Sequence, residues 1–210
     1  MEGATTLPRW VLAVLFSALL LAVMGAAGLS LLNRSPAGAL PAYGHVPDFT
    51  LINQDGQPFN SSDLRGKSAA VGFIYTSCPD ICSMLTSRMV ALQGELRKAG
   101  LLGTDVVLLS VSVDPERDTP GVLKQYAAER GADTAAWTFL TGSPEQVQKV
   151  VSEGFRVGLE KAAHASHGAS YEVSHSGRVV LVDPQGEVRA YYDGEQLDPA
   201  RVIADIKKLR

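Results

Sequence analysis

The stretch Ala69-Ala70-Val71-Gly72-Phe73-Ile74-Tyr75-Thr76-Ser77-Cys78-Pro79-Asp80-Ile81-Cys82 decides the fold of this chain. Its first seven residues are apolar and partly β-branched or aromatic, the composition of a buried strand. From Ile81 onward the pattern is helical: Ile81, Leu85, Met89, Leu92 and Leu96 recur at steps of four and three, one face of a helix that ends near Gly100. The strand-to-helix junction therefore carries Cys78 and Cys82, the only cysteines among 210 residues.

Working outward, the same alternation repeats. Val106 to Val113 is a second buried strand. Thr119 is then an N-cap with Pro120 at the first helical position, and this helix stops near Gly131. Trp137 to Thr141 is a third strand, and Ser143 with Gln146 forms the capping box of another helix. Asp55-Gly56 turns a hairpin between Phe49 and Phe59. Gly158 to Ser170 is a polar loop rich in Ala, His and Gly. A second hairpin, Arg178 to Val182 and Glu187 to Tyr192, turns at Pro184-Gln185-Gly186, and Asp198-Pro199 caps the last helix. This order predicts an α/β fold with a mixed central sheet flanked by helices. A CxxxC after the first central strand fits the thioredoxin-like version of it.

The N-terminus is of another kind. Trp10 to Leu32 holds no charged residue and lies between Arg9 and Arg34. At about 1.5 Å per residue it is long enough to cross a hydrocarbon core of roughly 30 Å, and too long for the apolar part of a signal peptide. The expected organisation is a short cytoplasmic tail at 1–9, a transmembrane anchor at 10–32, a Pro- and Gly-rich linker at 33–46, and one domain at 47–210. Single arginines flank the span, so charge barely orients it; the short tail favours N-terminus inside and domain on the extracytoplasmic side of the cytoplasmic membrane. Beyond Arg34 there are 17 Lys and Arg against 21 Asp and Glu. With no basic run and no basic–aromatic interleaving, nucleic acid is not an expected partner.

Cys82 lies four residues after Cys78, about one helical turn, so both sulfurs can face one way beside a helix N-terminus. A helix start stabilises thiolate. The pair suits a soft metal or a dithiol–disulfide couple; a structural bridge closing so small a loop would stabilise little. Candidate third ligands are His45, His164, His167 and His175. Two thiolates favour Cu(I), and an added imidazole suits Cu(II), whereas structural zinc takes four protein ligands. Asp80 and Asp114 are the nearest acidic candidates, each explained as well by a helix start or a turn. Met84 and Met89 invite a copper argument, but Met89 falls on the apolar helix face and reads as core.

Four motifs carry a resemblance: Phe73-Ile74-Tyr75-Thr76-Ser77-Cys78-Pro79-Asp80-Ile81-Cys82, then Ser110-Val111-Ser112-Val113-Asp114-Pro115-Glu116-Arg117-Asp118-Thr119-Pro120, then Val173-Ser174-His175-Ser176, then Leu181-Val182-Asp183-Pro184-Gln185-Gly186. In this order they resemble the Sco/SenC family of membrane-anchored copper proteins, over about Val46 to the C-terminus. The resemblance implies a thioredoxin-like domain outside the cytoplasmic membrane, with copper held by Cys78, Cys82 and His175. It implies a role in assembling cytochrome c oxidase, at the dinuclear copper centre of its second subunit, with that subunit or another copper protein as partner. Two positions depart from the family pattern: Ser174 stands where many members have Asp, and Ser83 where many have Pro.

Three functions compete. A metallochaperone would need Cys78, Cys82 and His175. A thiol–disulfide reductase would use Cys78 to attack and Cys82 to resolve, with an external thiol reductant to regenerate the dithiol. A thiol peroxidase would need a Thr and an Arg around its cysteine, for which only Thr76 and Arg88 offer themselves. Oxidation of the dithiol would abolish copper binding, so the first two functions share one site.

Overall fold

The computed structural model describes residues 39–78, 81–162, 172–175 and 177–209, with Leu19 and Met24; Ile81, 159–162 and 172–175 are described by their backbone. The expected tail at 1–9 and anchor at 10–32 thus lie outside the described residues but for those two, and no described helix is long and apolar enough to cross a membrane. Leu40–Arg210 forms one compact unit.

Ten strands occur among the described residues: β1 Gly44–His45, β2 Thr50–Asn53, β3 Pro58–Asn60, β4 Ser68–Ile74, β5 Val106–Ser112, β6 Trp137–Thr141, β7 Leu159–Ala162, β8 Glu172–His175, β9 Arg178–Val182 and β10 Glu187–Asp193. Eight make a mixed sheet in the order β1-β10-β9-β4-β5-β6-β2-β3, and β7 pairs with β8 as a separate ribbon. Only β4, β5 and β6 run parallel. Every residue of β4 is buried, as a central strand covered on both faces requires.

The helices are α1 Ile81–Lys98, α2 Pro120–Glu129, α3 Pro144–Lys149 and α4 Pro199–Lys207, with a π-helical turn at Val150–Gly154 prolonging α3. Their starts are those the capping residues predict: Thr119 accepts from Val122 N, Ser143 and Gln146 close their box, and Asp198 accepts from Ala200 N. Gly100, at φ +68°, ends the run of α1 in a conformation costly for other residues.

Register shows which face each helix covers. Gly72, Ser110 and Phe139 are aligned across β4, β5 and β6 and so share a face. Leu85 and Met89 of α1 approach Gly72, and Tyr126 of α2 meets the Phe139 ring edge-on at 6.2 Å. Val179 pairs with Gly72 and Tyr192 with Val179, and Tyr192 donates to Asp205 of α4 at 3.0 Å. Hence α1, α2 and α4 cover one face. Phe155, after the π-helical turn, packs on Phe73 from the other, ring centroids 5.5 Å apart.

Two stretches differ from the sequence reading. Gly44 and His45, assigned to the linker, pair with Val188 and Glu187 and extend the sheet. Part of the expected loop at Gly158 to Ser170 is β7, whose Leu159 pairs with His175 and Glu160 with Ser174 of β8. The four residues Leu159-Glu160-Lys161-Ala162 lack the alternation that marks most strands.

Candidate metal centre

Cys78 and Cys82 lie just past the carboxyl end of β4, beside the loop that leaves β5. Sites in open α/β sheets form at these strand ends. The chain leaves β4 through a turn in which Cys78 N–H donates to the Tyr75 carbonyl at 3.2 Å, and α1 then runs from Ile81. Cys82 N–H donates to Cys78 Sγ at 3.3 Å. Cys78 thus receives a backbone donor of the first helical turn, as a capping side chain does, and that donor favours negative charge on its sulfur. Pro79 and Asp80 lie outside the described residues, so the helix start beside Cys78 is seen through this bond alone.

The two thiols are unequal. Cys78 is half-buried, and Cys82 is 1% exposed. Burial pushes the Cys82 thiol far above the usual range; its hydrogen bond with Cys78 adds to this, a Tyr75 backbone bond opposes it, and the charges of Cys78 and Asp118 add a little. Of the two, Cys78 is the sulfur that solvent reaches, and Cys82 is the one whose thiolate burial disfavours.

Beneath the pair sits Asp118, buried and unforeseen from sequence. Its carboxylate accepts from Thr76 N–H at 3.1 and 3.2 Å, from Thr76 Oγ1 at 2.5 Å and from Ser112 Oγ at 2.6 Å. The available signal was Ser110 and Ser112, polar residues in a buried strand, with Asp118 just beyond it. Asp114 is also buried; it pairs with Arg117 at 3.4 Å, and its carbonyl accepts Asp118 N–H at 2.9 Å, folding the loop back under the cysteines.

Behind Cys82, Ser83 Oγ accepts from Arg130 at 3.0 Å. The guanidinium lies 4.9 Å over the Tyr126 ring, and Tyr126 and Thr86 share a hydroxyl bond of 2.8 Å. Met89 is buried in the core and Met84 is exposed. Thr76 spends its hydroxyl on Asp118 and Arg88 is exposed on α1, an arrangement that gives a peroxidase site no support.

The candidate third ligands divide. His45 is in β1, 3.4 Å from Glu187 and level with the start of β4, at the end of the sheet away from the cysteines. His164 and His167 lie outside the described residues. His175 ends β8, and two residues later the Gly177 carbonyl accepts Gly194 N–H at 2.6 Å. Gly194 is also in close approach to Leu85, three residues after Cys82, so Gly177 is bonded to a residue that packs on the cysteine helix. Among the described side chains no group of three His, Cys, Asp or Glu residues forms a metal cage. Two adjacent sulfurs, one reachable from solvent, nevertheless fit a soft ion that draws a further donor from a neighbouring segment.

The sequence profile of the SCO1/SenC family matches residues 38–210. A putative copper-binding protein of Stutzerimonas stutzeri is 34% identical over 162 residues, 77% of this chain and 76% of that protein. The solved structure of Arabidopsis thaliana ScoI with copper bound is 30% identical, with a TM-score of 0.67 over 80% of this chain and 99% of that one. BsSco is a member of the Sco family of cytochrome c oxidase assembly proteins, in which a disulfide switch was identified. Its structure is 30% identical, with a TM-score of 0.68 over 81% of this chain and 97% of that one.

Proposed function

The chain belongs to the SCO1/SenC family, and from that premise we propose that it is a membrane-anchored copper carrier serving assembly of the dinuclear copper centre in cytochrome c oxidase subunit II. Its cargo is one copper ion held by Cys78, Cys82 and His175. The observation that carries this reading is the Cys82 N–H bond to Cys78 Sγ, which keeps two soft donors together at a reachable strand end. Loading deprotonates both thiols, the buried Cys82 last. Unloading proceeds by ligand exchange, a partner thiolate replacing Cys78 first because Cys78 is the less buried member. On this reading the apolar 10–32 segment is a single-pass anchor and the domain faces the extracytoplasmic side.

The unequal thiols also favour a second reading, a reductase that keeps the partner's cysteines ready for metal. Cys78 thiolate would attack the partner disulfide, releasing one partner thiol and forming a mixed disulfide. Cys82 would then displace the second partner thiol, leaving the Cys78–Cys82 disulfide for an external thiol reductant to reduce.

Copper titration of the reduced full chain in detergent separates these readings. The carrier reading expects one ion per chain, lost in Cys78→Ser/Cys82→Ser. His175→Ala should weaken Cu(II) by at least about tenfold, since even groups outside the ligand set cost that much. No tight copper in the wild type, with disulfide reduction intact in His175→Ala, supports the reductase.

A further inference from the structure

We propose that Asp118 is the positioning residue of the dithiol site, holding the turn that presents Cys78 and supplying a fixed negative charge that favours divalent over monovalent copper. The proposal rests on the copper reading for its second half and on geometry alone for its first.

Position comes first. Thr76 and Ser77 are the inner residues of the Tyr75–Cys78 turn, and nothing in β4 itself fixes how that turn leaves the sheet. The carboxylate of Asp118 does so from the next loop, taking the Thr76 amide on both oxygens and the Thr76 hydroxyl on one. Ser112, the last residue of β5, anchors the other oxygen. The four bonds join the ends of β4 and β5 at the point where Cys78 emerges. Asp118 is itself aimed by the backbone bond from its N–H to the Asp114 carbonyl.

Charge comes second. The Thr76 amide can only donate; burial raises the Asp118 pKa, and the bonds from Ser112 and Thr76 oppose that and favour the carboxylate form. Asp118 is 0% exposed, and a charge so far from water acts on its neighbours with little screening. Asp114 carries the same sign nearby but is met by Arg117 at 3.4 Å. The anion at Asp118 stabilises the more positive of two cargoes, Cu(II) over Cu(I), and so opposes the preference of two thiolates for Cu(I).

The test compares full-length wild type with Asp118→Asn, which keeps size and one acceptor oxygen. Amide exchange at Thr76 and Cys78 should speed at least about tenfold in the variant, with the central amides of β4, β5 and β9 unchanged. The ratio of Cu(II) to Cu(I) affinity should fall by about tenfold, the usual scale for removing one nearby buried charge. Thr76→Val removes only the 2.5 Å side-chain bond; it should speed the same amides modestly and leave the copper ratio unmoved, and it serves if Asp118→Asn does not fold. Faster exchange throughout the sheet with an unmoved ratio would make Asp118 an ordinary core residue and overturn the proposal, as would no change in either readout. If the wild type takes up no copper, the copper reading fails, and local exchange alone decides the positioning role.

Discussion

Substituting Gly194 tests whether the segment that carries His175 is seated where the site requires it. Gly194 follows β10, and its amide reaches the Gly177 carbonyl. A Cβ at this position would run into that carbonyl oxygen and into Leu85 Cδ1, with the carbonyl carbon at 3.2 Å. Neither obstacle can yield cheaply: one is backbone, and Leu85 is 1% exposed in the core. The φ of Gly194 is outside the left-handed region, so the penalty of Gly194→Ala is steric. Overpacking of this kind costs about 1–3 kcal/mol. In a domain of this size each kcal/mol moves the melting temperature by roughly 2–4 °C, so a drop of roughly 4–8 °C is expected at mid-range. Gly94→Ala is the matched control. It lies inside α1 with no atom within 4 Å of its added Cβ, and should gain about 0.5–1 kcal/mol from the helix preference for alanine. The assay is thermal unfolding of the apo chain by circular dichroism, followed by Cu(II) titration of the surviving fold. Gly194→Ala should also lose Cu(II) affinity, because the clash displaces the chain two residues beyond His175. A melting temperature at or above wild type would refute the claimed close approach of Gly177, Gly194 and Leu85.

Iodoacetamide at pH 8 should alkylate Cys78 more than tenfold faster than Cys82, since burial both hides the Cys82 sulfur and raises its thiol pKa, leaving less thiolate; peptide mapping of a time course reads the order, and equal rates would contradict the asymmetry. Met89→Ala should cost about 2–5 kcal/mol of stability yet leave copper stoichiometry and Cu(I) affinity intact, because Met89 fills the core between α1 and the sheet; a collapse of Cu(I) affinity in a folded variant would make it a ligand. The hydrogen bond from Arg97, at 2.7 Å, holds the Asp133 carboxyl below its ordinary range. A depressed carboxyl stabilises the fold above its unfolded value near 3.8 and loses that contribution as pH falls through the folded value. Arg97→Ala should therefore cost at most about 1 kcal/mol at pH 7, as expected for an exposed pair, and almost nothing once the pH has fallen below the folded value of Asp133, as read in denaturant melts.

Local signals were legible because local physics sets them. The helix starts at Thr119, Ser143 and Asp198 follow from side chains capping amides two or three residues away, and α1 follows from an apolar face of fixed period. The cysteine pair was legible for the same reason, since one turn of helix fixes its spacing. Asp118 was not legible, because its partner Thr76 is 42 residues away and meets it only when β4 and β5 lie side by side. In sequence Asp118 stands only as one residue of the Ser110–Pro120 motif; in the fold its carboxylate holds the turn that leads to Cys78. The β7–β8 ribbon escaped for a different reason, that Leu159–Ala162 and Glu172–His175 lack the alternation a half-buried strand usually shows. The sheet order was likewise beyond reach, since antiparallel β9 beside β4 depends on contacts more than a hundred residues apart. A dithiol site is thus announced by its ligands, while the groups that aim and charge it come from elements brought alongside by the sheet. Substitutions at Asp118, Leu85 and Gly194 are accordingly expected to alter what Cys78 and Cys82 do without touching either sulfur.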